Sequence, residues 1–164
     1  MKGRFAVIGV AVLIAGAFGA CTKASSSVTK QSLDVTSVDE KATTMEQLDL
    51  GKPGFGPGDE IVEVAPVIDT SGATIGKTYT TVTMINGKSI ADAWGAVDCT
   101  VALPDGNLLF HGAFSFKDLA KGTAAPVVGG TGKYAGAVGS VEVIAPTQKK
   151  TELKFSLLLP NTTS

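Results

Sequence analysis

Two side chains in this sequence could form a nucleophile and its base: Cys99, one of two cysteines, and His111, the only histidine. A thiol beside an imidazole becomes a reactive thiolate only if both reach the same face of the fold. The run Pro104-Asp105-Gly106-Asn107 lies between them and reads as the turn joining two strands. With Pro104 opposite Asn107, Leu103 faces Leu108, Val101 faces Phe110 and Cys99 faces Gly112. Alternation then gathers Val97, Cys99, Val101, Leu103, Leu108, Phe110, Phe114 and Phe116 on one apolar face. Trp94, Ala96, Asp98, Thr100, Leu109, His111, Ala113 and Ser115 take the other. Cys99 is thus expected inside, behaving as a small hydrophobe, with His111 outside. A slip of one residue in the turn would undo this separation. A proton relay would need another inward group, with Glu46, Glu60, Glu63, Asp98 and Tyr79 as the candidates.

A second chemical motif is Gly130-Thr131-Gly132-Lys133-Tyr134-Ala135, which fits one form of the dinucleotide fingerprint. That fingerprint works where a strand turns into a helix whose N-terminus meets pyrophosphate. Here Gly136-Ala137-Val138-Gly139-Ser140-Val141 follows, a poor helix with the alternation of a strand. A phosphate-binding loop fails too, because Tyr134 stands in its Ser/Thr position and Val127 in place of its first glycine. The stretch reads instead as a tight turn at Gly129, Gly130, Thr131 and Gly132. A strand follows in which Gly136 and Gly139 mark sharp curvature.

The elements that must position these residues are short strands. Eight runs separated by turn residues span Thr44–Leu50, Glu60–Ile68, Thr74–Ile85, Ala93–Leu103, Leu108–Phe116, Ala124–Val128, Tyr134–Ala145 and Thr151–Leu159. Gly- and Pro-dense loops, such as residues 51–58 and Asn86-Gly87, divide them. No run holds a helical period. The expected class is all-β, an eight-stranded antiparallel up-and-down barrel, with a β-sandwich as the alternative.

The termini give an address. Lys2 and Arg4 precede an apolar or glycine run from Phe5 to Phe18, and Ala17-Phe18-Gly19-Ala20-Cys21 closes it. This is a secretory pattern too short for a comfortable membrane span, and its ending resembles a bacterial lipoprotein signal. The expected organisation is a signal peptide at 1–20, a flexible tether at 21–42 beginning with lipidated Cys21, a barrel at 43–160 and a tail at 161–164. That predicts an extracytoplasmic protein held in the cell envelope through its lipid, with no internal disulfide. One histidine and one mature cysteine are too few for a zinc or iron site, and no loop has calcium-ligand spacing, so neither metal nor cofactor is expected. Arg4 is the only arginine, and the mature chain sets lysines against 15 acidic residues. Nucleic acid is therefore not an expected partner.

Gly129-Gly130-Thr131-Gly132-Lys133-Tyr134 with Gly136-Ala137-Val138-Gly139 resembles the glycine signature of allene oxide cyclases and dirigent proteins. Asp49-Leu50-Gly51-Lys52-Pro53, Asp69-Thr70-Ser71-Gly72 with Ile75-Gly76, and Pro146-Thr147-Gln148-Lys149 are similar to further segments of that group. The resemblance spans about Thr43 to Leu159. It implies an eight-stranded barrel with an apolar cavity, often trimeric, and places Pro53 and Cys99 at the cavity. The catalytic positions match less well. Thr44 and Glu46 fall near the places of an acid and an asparagine, no tyrosine lies between Leu108 and Val128, and Lys133 and Val138 replace a dirigent acid and cation. The expectation is a lipoprotein barrel that binds a small apolar ligand without acid/base catalysis, leaning away from an enzyme. The ligand would lie among Pro53, Val97, Cys99, Val101, Phe110, Phe114 and Phe116. The alternatives are a filled barrel serving as an interaction module and a dirigent-like cyclase or isomerase. An internal cavity, and the polar groups lining it, would separate the three.

Overall fold

The computed structural model describes residues 27–50 and 52–161; the expected signal peptide, Cys21 and the last three residues lie outside them. Nine strands follow in order: β1 (Val28–Ser37), β2 (Thr44–Leu48), β3 (Glu60–Ile68), β4 (Thr74–Asn86), β5 (Trp94–Leu103), β6 (Gly106–Ser115), β7 (Thr123–Gly130), β8 (Val138–Thr147) and β9 (Lys150–Pro160). Every pairing is antiparallel. From β3 to β9 each strand pairs with the next, β9 pairs with β1, and β1 returns to β3. The result is a closed eight-stranded barrel with β2 as an added strand, which meets the expected fold class.

The boundaries differ most from the sequence expectation on the N-terminal side. Composition suggests a tether at 21–42, but Val28–Ser37 pairs with β9 over its whole length, from Val28 opposite Pro160 to Ser37 opposite Thr151. The domain thus begins at β1. Its Ser, Thr and Lys content arises because only alternate residues, Leu33, Val35 and Ser37, turn inward while the others face water. Thr44–Leu48, expected as the first barrel strand, is instead the added one.

The β1–β3 seam is short. Thr36 and Ser37 pair with Ile68 and Val67; then a single 3-10 turn at Asp39–Lys41 interrupts the line before β2 resumes it, Met45 opposite Glu63. The wall also opens between β6 and β7, which pair only through Leu108, Leu109 and Phe110. A 3-10 turn at Leu119–Lys121 spans the divergence. Both interruptions lie towards one end of the barrel.

The other end is closed by the glycine motif. Gly129 and Gly130 belong to β7, opposite Leu109 and Leu108, rather than to a turn as expected. The turn proper runs from Thr131 to Ala137, with Gly136 in it rather than in the following strand as expected, and it packs on the β5–β6 turn. The Lys133 amide donates to the Asp105 carbonyl at 2.7 Å and the Thr131 amide to the Asn107 carbonyl at 2.9 Å. Gly139 has φ 148°, and a Cβ there would run into the Ser156 carbonyl of β9, so only glycine permits this approach of β8 to β9. Inside this end Val101, Leu108, Val141, Phe155 and Leu157 are buried.

Candidate functional site

The β5–β6 turn is tighter than the sequence register assumes. Leu103 pairs with Gly106, so Cys99 faces Phe110 instead of Gly112, and Val101 faces Leu108. Pro104 and Asp105 alone form the corner, and the ring of Pro104 suits its first position. The displacement is two residues, so the division into faces survives. Cys99 is buried; His111 lies outside, its Nδ1 2.7 Å from Asp98 Oδ1, both side chains mostly exposed. Cys99 and His111 therefore do not pair. Burial pushes the Cys99 thiol up to about 12, although the Thr80 hydroxyl donates to its sulfur at 3.3 Å. A thiol so rarely ionised is a poor nucleophile.

Cys99 instead belongs to a row of inward side chains. Cross-strand pairing sets Glu63 of β3 opposite Thr80 of β4, Thr80 opposite Cys99 of β5, and Cys99 opposite Phe110 of β6. Above this row the barrel is hollow, with a cavity of about 640 Å³, a size typical of small-molecule sites. Phe110 forms part of its floor and packs edge-to-face on Phe155, with ring centroids 6.2 Å apart. Of the expected cavity residues, Val97, Cys99, Phe110, Phe114 and Phe116 line it. Val101 is fully buried below, in the filled half, and Pro53 is exposed on the β2–β3 loop. That loop carries Pro53 outside the barrel, so neither residue belongs to the cavity.

The cavity has two unlike walls. On the β5–β6 side, Phe110, Phe114 and Phe116 present their rings. A Cβ at Gly112 would press on the edge of the Phe114 ring, and one at Gly95 on Val82 and the edge of the Phe116 ring, so these glycines make room for both rings. The other wall is polar and centred on β1, across the ring from β6. Ser37 and Thr78 hydroxyls lie 3.0 Å apart, and Thr78 also donates to the Ala65 carbonyl at 3.3 Å. Asp39, on the 3-10 turn at the seam, accepts from the Thr151 hydroxyl at 2.8 Å. Burial raises the Asp39 carboxyl above its usual range, against the lowering effect of the Ser37 and Thr151 hydroxyls.

Glu63 is the central group of this wall. It lies on the inward row Ile61, Glu63, Ala65 and Val67 of β3. Burial, with a smaller contribution from the charge of Asp39, raises its carboxyl from 4.5 to about 7. Its Oε1 is buried with no hydrogen-bond partner among the described residues. The neighbouring Thr80 hydroxyl is turned to Cys99. A buried oxygen left unpartnered is costly unless something else fills that role. A carboxyl that titrates near neutrality both accepts and donates protons at physiological pH, the property a general acid/base needs. The other relay candidates are elsewhere: Glu46, Tyr79 and Asp98 are exposed, and Glu60 accepts from Thr83 at 3.4 Å.

Sequence reasoning thus holds Glu63 as one candidate among five and misses Asp39, Ser37, Thr78 and Thr151. No signal in β3 picks Glu63 out, because Val62, Val64, Pro66 and Ile68 make its other face as apolar as Ile61, Ala65 and Val67 make this one.

No protein-family model matches the chain, and no curated relative does. Solved structures do. The chain is similar to a pyocyanin demethylase at 22% identity and a TM-score of 0.62, covering 79% of this chain and 99% of that one. It is similar to the pterocarpan synthase dirigent protein GePTS1 at 16% identity and a TM-score of 0.61, covering 83% and 90%. The Diels–Alderase AbmU from Streptomyces koyangensis matches at 14% identity and a TM-score of 0.57, over 87% and 72%. At these identities the likeness is one of fold: the chain has the barrel of dirigent proteins and of cyclase and Diels–Alderase barrels.

Proposed function

We propose that the cavity binds a small, mainly apolar molecule and rearranges it by proton transfer, as a cyclase or isomerase, with Glu63 as the acid/base. The observation that carries this reading is that Glu63 lines a cavity of about 640 Å³ with its buried Oε1 left without a hydrogen-bond partner among the described residues. The step is redox-neutral. Ionised Glu63 takes a proton from one carbon or oxygen of the ligand, and the resulting acid returns it to another, while the Phe wall excludes water. This departs from the expectation of binding without acid/base chemistry, which rests on positions where related barrels keep their acids; here the carboxylates come from β3 and the β1–β2 turn. Similarity to barrels named as a pyocyanin demethylase, a heme-binding cyclase and Diels–Alderases supports a ligand-admitting interior.

The test is proton abstraction from 5-nitrobenzisoxazole, an activated carbon acid that reports a base in apolar surroundings. The rate should rise with pH through about 7 and be lost in Glu63→Gln. A rate no greater than that of acetate at equal concentration would overturn the reading.

The proposed address is the cell envelope, through a lipid on Cys21. Asn161 donates to the Ser27 carbonyl at 3.0 Å beside the closed end, where β1 enters. The described chain thus enters the barrel at the end opposite the cavity mouth. Absence of palmitate incorporation, relative to a Cys21→Ala control, would overturn this address.

A further inference from the structure

The walls of the cavity differ in charge as well as polarity, and this bears on what can occupy it. Glu63 and Asp39 both line it, and among its described lining residues there is no lysine, arginine or histidine. Lys149, on the β8–β9 turn beside the mouth, pairs with Glu40 at 3.7 Å. Across the barrel stand the rings of Phe110, Phe114 and Phe116. An aromatic face attracts cations through its negative π-surface, and Gly95 and Gly112 make room for two of these rings.

We infer that the cavity selects a mostly apolar molecule bearing a protonated or permanently cationic nitrogen, and rejects carboxylates. This rests on the cavity being a ligand site, as proposed above, and adds the charge of the ligand. A cationic nitrogen in the cavity is drawn to the carboxylates of Glu63 and Asp39 that line it, and its charge offsets their mutual repulsion. A carboxylate placed there would be a third negative group in a partly desolvated space with no counter-charge. Its only relief would be to take up a proton. The Phe wall then packs on the apolar body. The volume admits a fused ring system with room for substituents.

The experiment uses three probes with one ring system: 9-anthracenemethylamine, 9-anthracenemethanol and 9-anthracenecarboxylate, titrated calorimetrically into the folded protein at pH 8. The expected order is amine, then alcohol, then acid, with the amine at least tenfold tighter than the acid. In Glu63→Gln, and independently in Asp39→Asn should the first fold poorly, the amine-to-alcohol ratio should fall towards one. Binding of the alcohol with no preference for the amine over the acid would overturn this inference while leaving the cavity as a ligand site. Binding of none of the three would remove the ligand site itself, and this inference with it.

Discussion

Replacing Glu63 by Gln keeps the shape of the side chain and removes its titration, so it isolates the effect of a raised carboxyl on stability. In the folded protein Glu63 holds its proton up to about pH 7, whereas the ordinary value is 4.5. Protons therefore favour the fold. This contribution is complete below pH 4.5 and is lost as pH rises through about 7. At about 1.4 kcal/mol for each tenfold change in proton affinity, the difference amounts to about 3 kcal/mol. Glu63 is only part-buried, and solvent screening reduces this to about 1–2 kcal/mol. Wild type should thus lose about 1–2 kcal/mol relative to Glu63→Gln between about pH 4 and pH 9. For a domain of this size that is a change of about 3–8 °C in the Tm difference. Thermal unfolding of both proteins by circular dichroism across that range reads it directly, since carboxylates other than Glu63 and its neighbour Asp39 titrate alike in each. Parallel curves would refute the argument, because they would mean that Glu63 ionises alike in the folded and unfolded states.

The remaining predictions concern its surroundings. Asp39→Asn should lower the pH at which Glu63 titrates without restoring 4.5, because burial is the larger cause and the Asp39 charge the smaller; the pH–rate midpoint measures this. Cys99 should react with a thiol reagent many-fold more slowly in the folded protein than in urea, since it is buried and its thiol is pushed up to about 12; labelling at the unfolded rate would contradict the inward register. Phe155→Ala should cost about 3–5 kcal/mol by denaturant titration, since a fully buried ring at the floor leaves a void. His111→Ala should change stability by less than about 1 kcal/mol, because its pairing with Asp98 is exposed.

What can be read in the sequence follows from how strongly each strand alternates. β5 and β6 alternate sharply, so their faces are legible even though the expected turn between them is two residues off. A shift of two preserves parity; only the partners change. β3 gives no such guide. Ile61, Ala65 and Val67 share one face with Glu63, but Val62, Val64, Pro66 and Ile68 make the opposite face equally apolar, because the barrel's exterior there is only partly exposed. Periodicity alone therefore cannot turn Glu63 inward. β1 is hidden for the opposite reason: with Lys30, Asp34 and four Ser or Thr residues it has the composition of a tether. Its strand character comes from pairing with β9 at the far end of the sequence, a tertiary effect that no local window contains. Asp39 and Ser37 disappear with it. The glycine motif shows the curvature of the barrel, but its closed-end role depends on contacts with the β5–β6 turn.

That Glu63 titrates near neutrality inside the cavity is the claim on which the proposed chemistry turns. Carbon-13 NMR of protein labelled at the glutamate carboxyl carbons tests it most directly, with Glu63→Gln identifying the resonance. One carboxyl should show a midpoint at about 7 and be missing in the variant. A Glu63 midpoint at the ordinary value near 4.5 would contradict it.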